Sequence, residues 1–179
     1  MDLLGTRKLI LRIVCAFAMA TAPVAVSQPS EYGLKAVFLY NFCRFIEWPP
    51  TAFSSPTEPF TIGILGRDPF GPLLEEAVAG ETYHGRPIQI VRYRNTREIG
   101  RCQLLFVNSS ETARTTEILV ATAGKNIVTV GETDRFIDEG GMIALITTQN
   151  RVRVRLNPAA FRTANIAVSS KLLRIAEKS

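Results

Sequence analysis

The chain has 179 residues, 46% of them hydrophobic and 21% charged, with 21 Lys and Arg against 16 Asp and Glu for a formal charge of +5. A length of this order makes one ordinary domain with a sizeable core. A single histidine excludes zinc centres of the multi-histidine type.

Arg7, Lys8 and Arg12 lead into an apolar run over residues 13–26, followed by Ser27 in the small-residue triplet Ala25-Val26-Ser27. This is the pattern of a secretory signal peptide, cleaved after Ser27. The apolar core between Arg12 and Pro23 falls short of the ~20 residues that span a bilayer, which argues against an uncleaved anchor. Cys15 lies inside the run rather than at its end, which argues against lipidation. Removing residues 1–27 takes away Arg7, Lys8, Arg12 and Asp2, lowers the formal charge from +5 to +3 and leaves one domain over residues 28–179. The expected mature chain is periplasmic, no longer membrane-embedded, and too weakly basic to call for nucleic acid. Its two cysteines, Cys43 and Cys102, enter a compartment that permits one intramolecular disulfide.

Beyond the leader, apolar β-type runs alternate with helical patterns, which predicts an α/β layered fold. A first helix over 33–47 should be stopped by Trp48-Pro49-Pro50, because proline cannot continue a helix and restricts the residue before it. Residues 60–65 read as a buried strand ending at Gly66, after which Asp68 would cap a short helix starting at Pro69 and ending near Gly80. Residues 87–93 and 103–107 are the second and third strands. A helix over 111–123, with Ser110 as its cap, should close at Gly124, and 127–130 is the fourth strand. After a short turn at 134–138 and Gly140-Gly141, residues 142–147 and 151–156 form a β-hairpin joined by Thr148-Gln149-Asn150. A last helix over 169–178 carries an inward stripe of Val168, Leu172, Ile175 and Ala176. The predicted architecture is a three-layer Rossmann-like sandwich: a mostly parallel sheet of five to six strands, a C-terminal antiparallel hairpin, and helices on both faces.

None of the chemistry-bearing patterns makes a catalytic constellation. His84 reads as a loop residue. The third strand leads into Asn108-Ser109-Ser110-Glu111, where a serine hydrolase would need Gly-x-Ser-x-Gly. Gly66-Arg67-Asp68-Pro69-Phe70-Gly71 has the glycine spacing of a phosphate loop, but Pro72-Leu73 replaces the required lysine and hydroxyl. The dinucleotide fingerprint is missing, so no cofactor is implied. Glu75-Glu76 and Asp138-Glu139 are adjacent pairs that point apart rather than across a cleft.

Two other patterns bear on binding. In Arg151-Val152-Arg153-Val154-Arg155 the arginines share one face of a strand and the valines the other. That describes either a charged edge strand protected from aggregation or an electropositive patch for an acidic partner. The first helix carries one apolar stripe of Leu34, Val37, Phe38, Phe42 and Phe45 and a second of Ala36, Leu39, Tyr40, Cys43 and Ile46, broken only by Lys35, Asn41, Arg44 and Glu47. A helix this apolar is buried in its own domain or against another chain.

Several blocks taken together resemble the YfiR family of periplasmic proteins. They are Leu34 to Phe42 with Glu47-Trp48-Pro49, Ile62 to Gly71, Gly85-Arg86-Pro87-Ile88, Cys102 to Val107, Gly140 to Ile143, Val154 to Ala160, and Ser169 to Ala176. The resemblance implies a non-enzymatic regulator that binds the periplasmic sensor region of an inner-membrane diguanylate cyclase and holds it inactive, lowering cyclic di-GMP and biofilm formation. The family places one cysteine in the first strand and one just before the third. Cys102 matches the second position, but Gly63 stands at the first. The resemblance therefore makes Cys43 the alternative partner for Cys102, and such a bridge would stabilise by about 4 kcal/mol in the chain-entropy model. Some relatives carry a further cysteine pair before the fifth strand, and this chain has no cysteine after Cys102. The expected partner-binding positions are the helix-end aromatics Phe45 and Trp48 and the C-terminal residues Asn157, Arg162, Ile166, Leu172 and Leu173. A homodimer is compatible with this reading. The competing expectation is a small-ligand sensor with its pocket at the carboxyl ends of the strands. A hydrolase with an unrecognised constellation ranks below both.

Overall fold

The computed structural model describes residues 30–177; the leader expected over 1–27 and the end of the last predicted helix lie outside them. The first helix, α1 (Glu31–Phe45), begins two residues earlier than expected because the Ser30 hydroxyl accepts the Gly33 amide at 3.1 Å. It also ends two residues earlier. Ile46 and Glu47 leave the helix to form β1 (Ile46–Glu47), paired antiparallel with β9 (Ala167–Val168). A partner segment so distant in the chain leaves no local signal.

The second strand, β2 (Phe60–Leu65), is buried along its whole length. The helix expected to start at Pro69 is instead α2 (Leu73–Val78), and Asp68 turns the chain before it by accepting the Phe70 amide at 2.8 Å. β3 (Thr82–Tyr83) and β4 (Arg86–Tyr93) follow, joined through His84, an exposed loop residue with φ 47°. β5 (Leu104–Val107) leads into a 3-10 turn (Ser109–Arg114) and then α3 (Thr115–Thr122). The capping residue there is Asn108, which accepts the Ser110 amide, rather than Ser110. Gly124 ends the segment with φ 72°, as expected.

β6 (Val128–Gly131) is followed by α4 (Asp134–Asp138), where a turn was expected, and then by the hairpin of β7 (Ile143–Thr148) and β8 (Arg151–Leu156). Its connection is the two-residue turn Gln149-Asn150, with φ 50° and 60°, one residue shorter than anticipated. An unexpected helix, α5 (Pro158–Thr163), is capped by the Asn157 side chain with proline at its first position. The last helix, α6 (Ser170–Glu177), has its Leu172 amide held by the Ser169 hydroxyl at 3.3 Å.

The main sheet has seven strands in the order β3-β4-β2-β5-β6-β7-β8. The strands from β4 to β7 are parallel, and β3 and β8 are antiparallel edges. Alternation along the buried strands sends Ile62, Ile64, Leu104 and Phe106 into a large core with α1, α2, α5 and α6. It sends Leu65, Leu105 and Val107 into a smaller core with Ile118 of α3 and Phe136 of α4. Helices on both faces of a mostly parallel sheet make the Rossmann-like three-layer sandwich predicted. The sheet exceeds the five or six strands anticipated through the short edge strand β3.

The two cores also decide the cysteines. Cys43 belongs to the large core on one face and Cys102 to the small core on the other, so the sheet lies between them. Both are buried free thiols, which corrects the expected Cys43–Cys102 bridge. In the first parallel strand, a Cβ on Gly63 would lie 2.7 Å from the Tyr93 ring and 2.9 Å from a Leu105 methyl. Tyr93 and Leu105 thus occupy the space that a side chain there would need. Burial pushes both thiols up, Cys102 to about 12. Both should therefore react with a chromogenic thiol reagent in denaturant without prior reduction, and neither promptly in native buffer. A deficit of free thiols in denaturant would mean a bridge.

Candidate functional site

In doubly wound sheets, ligands enter at the carboxyl ends of the strands where the strand order reverses. Here that point lies between β2 and β5, since the chain passes from β2 outward to β4 and back across to β5. The opening is filled by the chain itself. Gly66, just after β2, has φ 90°, and a Cβ there would lie 2.7 Å from Ser110 Oγ and 2.8 Å from Glu111 Cγ. The Arg67 amide donates to Ser110 Oγ at 3.2 Å, tying the two loops together.

Beside this closure sits a buried charge. The Glu132 side chain, 5% exposed, accepts from Lys35 Nζ at 2.7 Å, Asn108 Nδ2 at 2.9 Å and the Ser109 amide at 2.9 Å. Lys35, read from sequence as a break in an apolar helix, is 2% exposed and also pairs with Glu31 at 2.6 Å. The Lys35 ammonium and the Thr147 hydroxyl hold the Glu31 carboxyl below its usual range. That contribution is present above the ordinary carboxylate pKa and lost as pH falls through the lowered one. Burial, and then Glu132, push Tyr32 up to about 12.

A concavity of about 540 Å³ lies at the opposite end, against the starts of β6 and β7 between α3 and α5. Thr129, Met142, Asn157 and Ala160 are among its lining residues. A pocket at the carboxyl ends is thus replaced by one at the amino ends.

A smaller groove of about 270 Å³ gathers the C-terminal segments, with Leu156 from β8, Phe161 and Arg162 from α5, Ile166 and Val168 around β9, and Leu173 from α6. The structure therefore brings together Arg162, Ile166 and Leu173 of the expected set. Arg162 is exposed, Ile166 is buried, and Leu173 is 38% exposed, one of few large apolar side chains in water among the described residues. Leu172, on the inward face of α6, is 1% exposed and belongs to the core. Asn157 is engaged as the cap of α5 and faces the larger cavity instead.

The two aromatics lie elsewhere. Trp48 is buried, donates its indole Nε1–H to the Gln103 carbonyl at 3.0 Å, and meets Phe60 and Tyr83 edge-to-face at 4.9 and 5.7 Å. That makes it a core anchor. Phe45 is half-buried under the Lys171 ammonium, 4.8 Å from its ring centre. The groove residues Leu156, Phe161 and Val168 were not among the expected positions. Asn157-Pro158, a cap followed by proline at the first helical position, was the local signal for α5 that would have drawn them in.

Among the described residues, no three His, Cys, Asp or Glu cluster at metal-binding distance, and no helix is long and apolar enough to cross a membrane. The fold and its surfaces define a doubly wound α/β domain whose usual ligand crevice is closed by its own side chains and whose exposed apolar groove is C-terminal. The chain belongs to the YfiR/HmsC-like family, whose model matches residues 32–177. This is a family of periplasmic regulators. The fold is similar to that of a crystal structure of the ABC domain in complex with L-Trp from Streptococcus pneumonia, with a TM-score of 0.56 at 12% identity. The match covers 79% of this chain and 59% of that one, and it shows the fold alone. No curated protein matches the chain.

Removing one partner of a buried ion pair leaves the other uncompensated, so Lys35→Ala should cost about 3–5 kcal/mol in denaturant unfolding. The double substitution Lys35→Met with Glu132→Gln should recover much of that loss. A loss in the double variant as large as the sum of the two single losses would mean that the pair is not coupled.

Proposed function

We propose that the protein is a periplasmic inhibitor that docks through its C-terminal groove onto the periplasmic region of an inner-membrane diguanylate cyclase and holds it inactive. The result would be lower cyclic di-GMP and less biofilm. The observation that carries this reading is the convergence of Arg162, Ile166 and Leu173 on one groove with an exposed leucine at its rim. An apolar anchor site ringed by a polar residue is the usual anatomy of a hot spot. Family membership and the leader expected over residues 1–27 support the compartment and the regulatory role. Inhibition requires only that the protein bind one state of the cyclase more tightly than the other, so it calls for no active site.

The cavity of about 540 Å³ supports a second reading, a sensor for a small ligand, since its volume is in the range of small-molecule sites. The two separate in one experiment. The protein is presented to the periplasmic domain of each diguanylate cyclase of the same cell, and cyclase activity is then read in reconstituted membranes. Specific capture with loss of activity is expected, and Leu173→Glu combined with Arg162→Glu should weaken capture by about thirtyfold or more, a hot-spot loss of at least ~2 kcal/mol. Binding to none of the cyclases would turn the reading towards the ligand sensor.

A further inference from the structure

β8 is the last strand of the seven-stranded sheet and, among the described residues, pairs on one side only, with β7. Because its hairpin turn has two residues, Thr148 and Arg151 form the hydrogen-bonded pair beside it, and the pattern alternates from there. The backbone groups of Arg151, Arg153 and Arg155 therefore bond to β7, and Asn157 continues the series by donating to the Met142 carbonyl at 2.8 Å. Those of Val152, Val154 and Leu156 point outward, and no described group bonds to them.

The side chains alternate across the same strand. Val152, Val154 and Leu156 lie on the face of the large core, and Leu156 runs on into the C-terminal groove beside Leu173. Arg151, Arg153 and Arg155 are exposed on the other face. Arg155 is paired with Asp134, whereas Arg151 and Arg153 have no carboxylate partner among the described residues.

We propose that the outer edge of β8 takes up an extended strand of a partner protein whose side chains alternate acidic and apolar. Its acids face Arg151 and Arg153, and its apolar side chains run toward the groove at Leu156 and Leu173. Strand addition obtains affinity from main-chain hydrogen bonds and selectivity from alternate side chains, and this edge offers both. Residues directly opposite on neighbouring strands have Cβ atoms ~5 Å apart, within reach of an arginine–carboxylate pair. A second copy is disfavoured, because antiparallel β8–β8 pairing would set arginines against arginines. The same charges that keep the edge from pairing with itself select an acidic strand. The inference rests on the reading of the protein as a partner-binding regulator and specifies how the partner is held.

The test uses the whole protein and a fluorescent peptide of alternating Val and Glu, with binding followed by anisotropy and amide exchange followed by NMR. Saturable binding is expected, with slowed exchange at Val152, Val154 and Leu156. Arg151→Glu with Arg153→Glu should weaken it ~tenfold or more. Val152→Pro should weaken it comparably, because it removes an outward amide while leaving the bonds to β7 intact. Unchanged melting temperatures identify variants that remain folded. Equal binding of a Val-Lys peptide, or exchange at the three amides left unslowed, overturns the proposal and reduces the arginines to a diffuse charged patch. The Val152→Pro variant should also release the cyclase. Full inhibition by that variant overturns the edge docking and leaves the inhibitor reading standing, whereas peptide binding without capture of any cyclase overturns the inhibitor reading and leaves the edge site.

Discussion

The carboxylate of Glu132 is the group around which the carboxyl end of the sheet is organised. A charge this deeply buried is tolerated only when it is paired and hydrogen-bonded, because its desolvation costs several kcal/mol. Lys35 supplies the opposite charge from α1, and Asn108 and the Ser109 amide supply donors from the end of β5. Three separate parts of the chain are thereby held at one point: the first helix, the loop after the third parallel strand, and the end of the fourth. The crevice that a doubly wound fold would ordinarily offer a ligand is consequently occupied by the protein's own side chains.

The same economy of space governs the interior. Gly63 is needed because Tyr93 and Leu105 press against it, and Tyr93 in turn packs in the core that holds Cys102. A side chain at position 63 and the present ring at position 93 exclude each other. On the other face, Trp48 locks the segment after α1 to the start of β5 through its indole hydrogen bond and its edge-to-face contacts.

With the crevice closed, the surfaces suited to a protein partner lie at the periphery, in a C-terminal groove and a sheet edge that adjoin at Leu156. Such surfaces suit a regulator that shifts a partner between states, since they offer main-chain donors, an apolar anchor and uncompensated positive charge without reactive groups.

How much of this was legible in the sequence follows from the range of the interactions involved. Local periodicity determined β2, the hairpin, the arginine and valine faces of β8 and the stop at Gly124, because each depends on residues a few positions apart. Of the C-terminal residues named as candidates from the sequence, Arg162, Ile166 and Leu173 line one groove. Only the tertiary structure decided the rest. The pairing of β1 with β9 ends α1 early, and the charge that Lys35 buries finds its partner at Glu132, 97 residues away. The segregation of Cys43 and Cys102 follows from the face of the sheet on which each falls. Pairings of this kind are set by which surfaces meet when the layers close, and no local stretch of sequence carries that information.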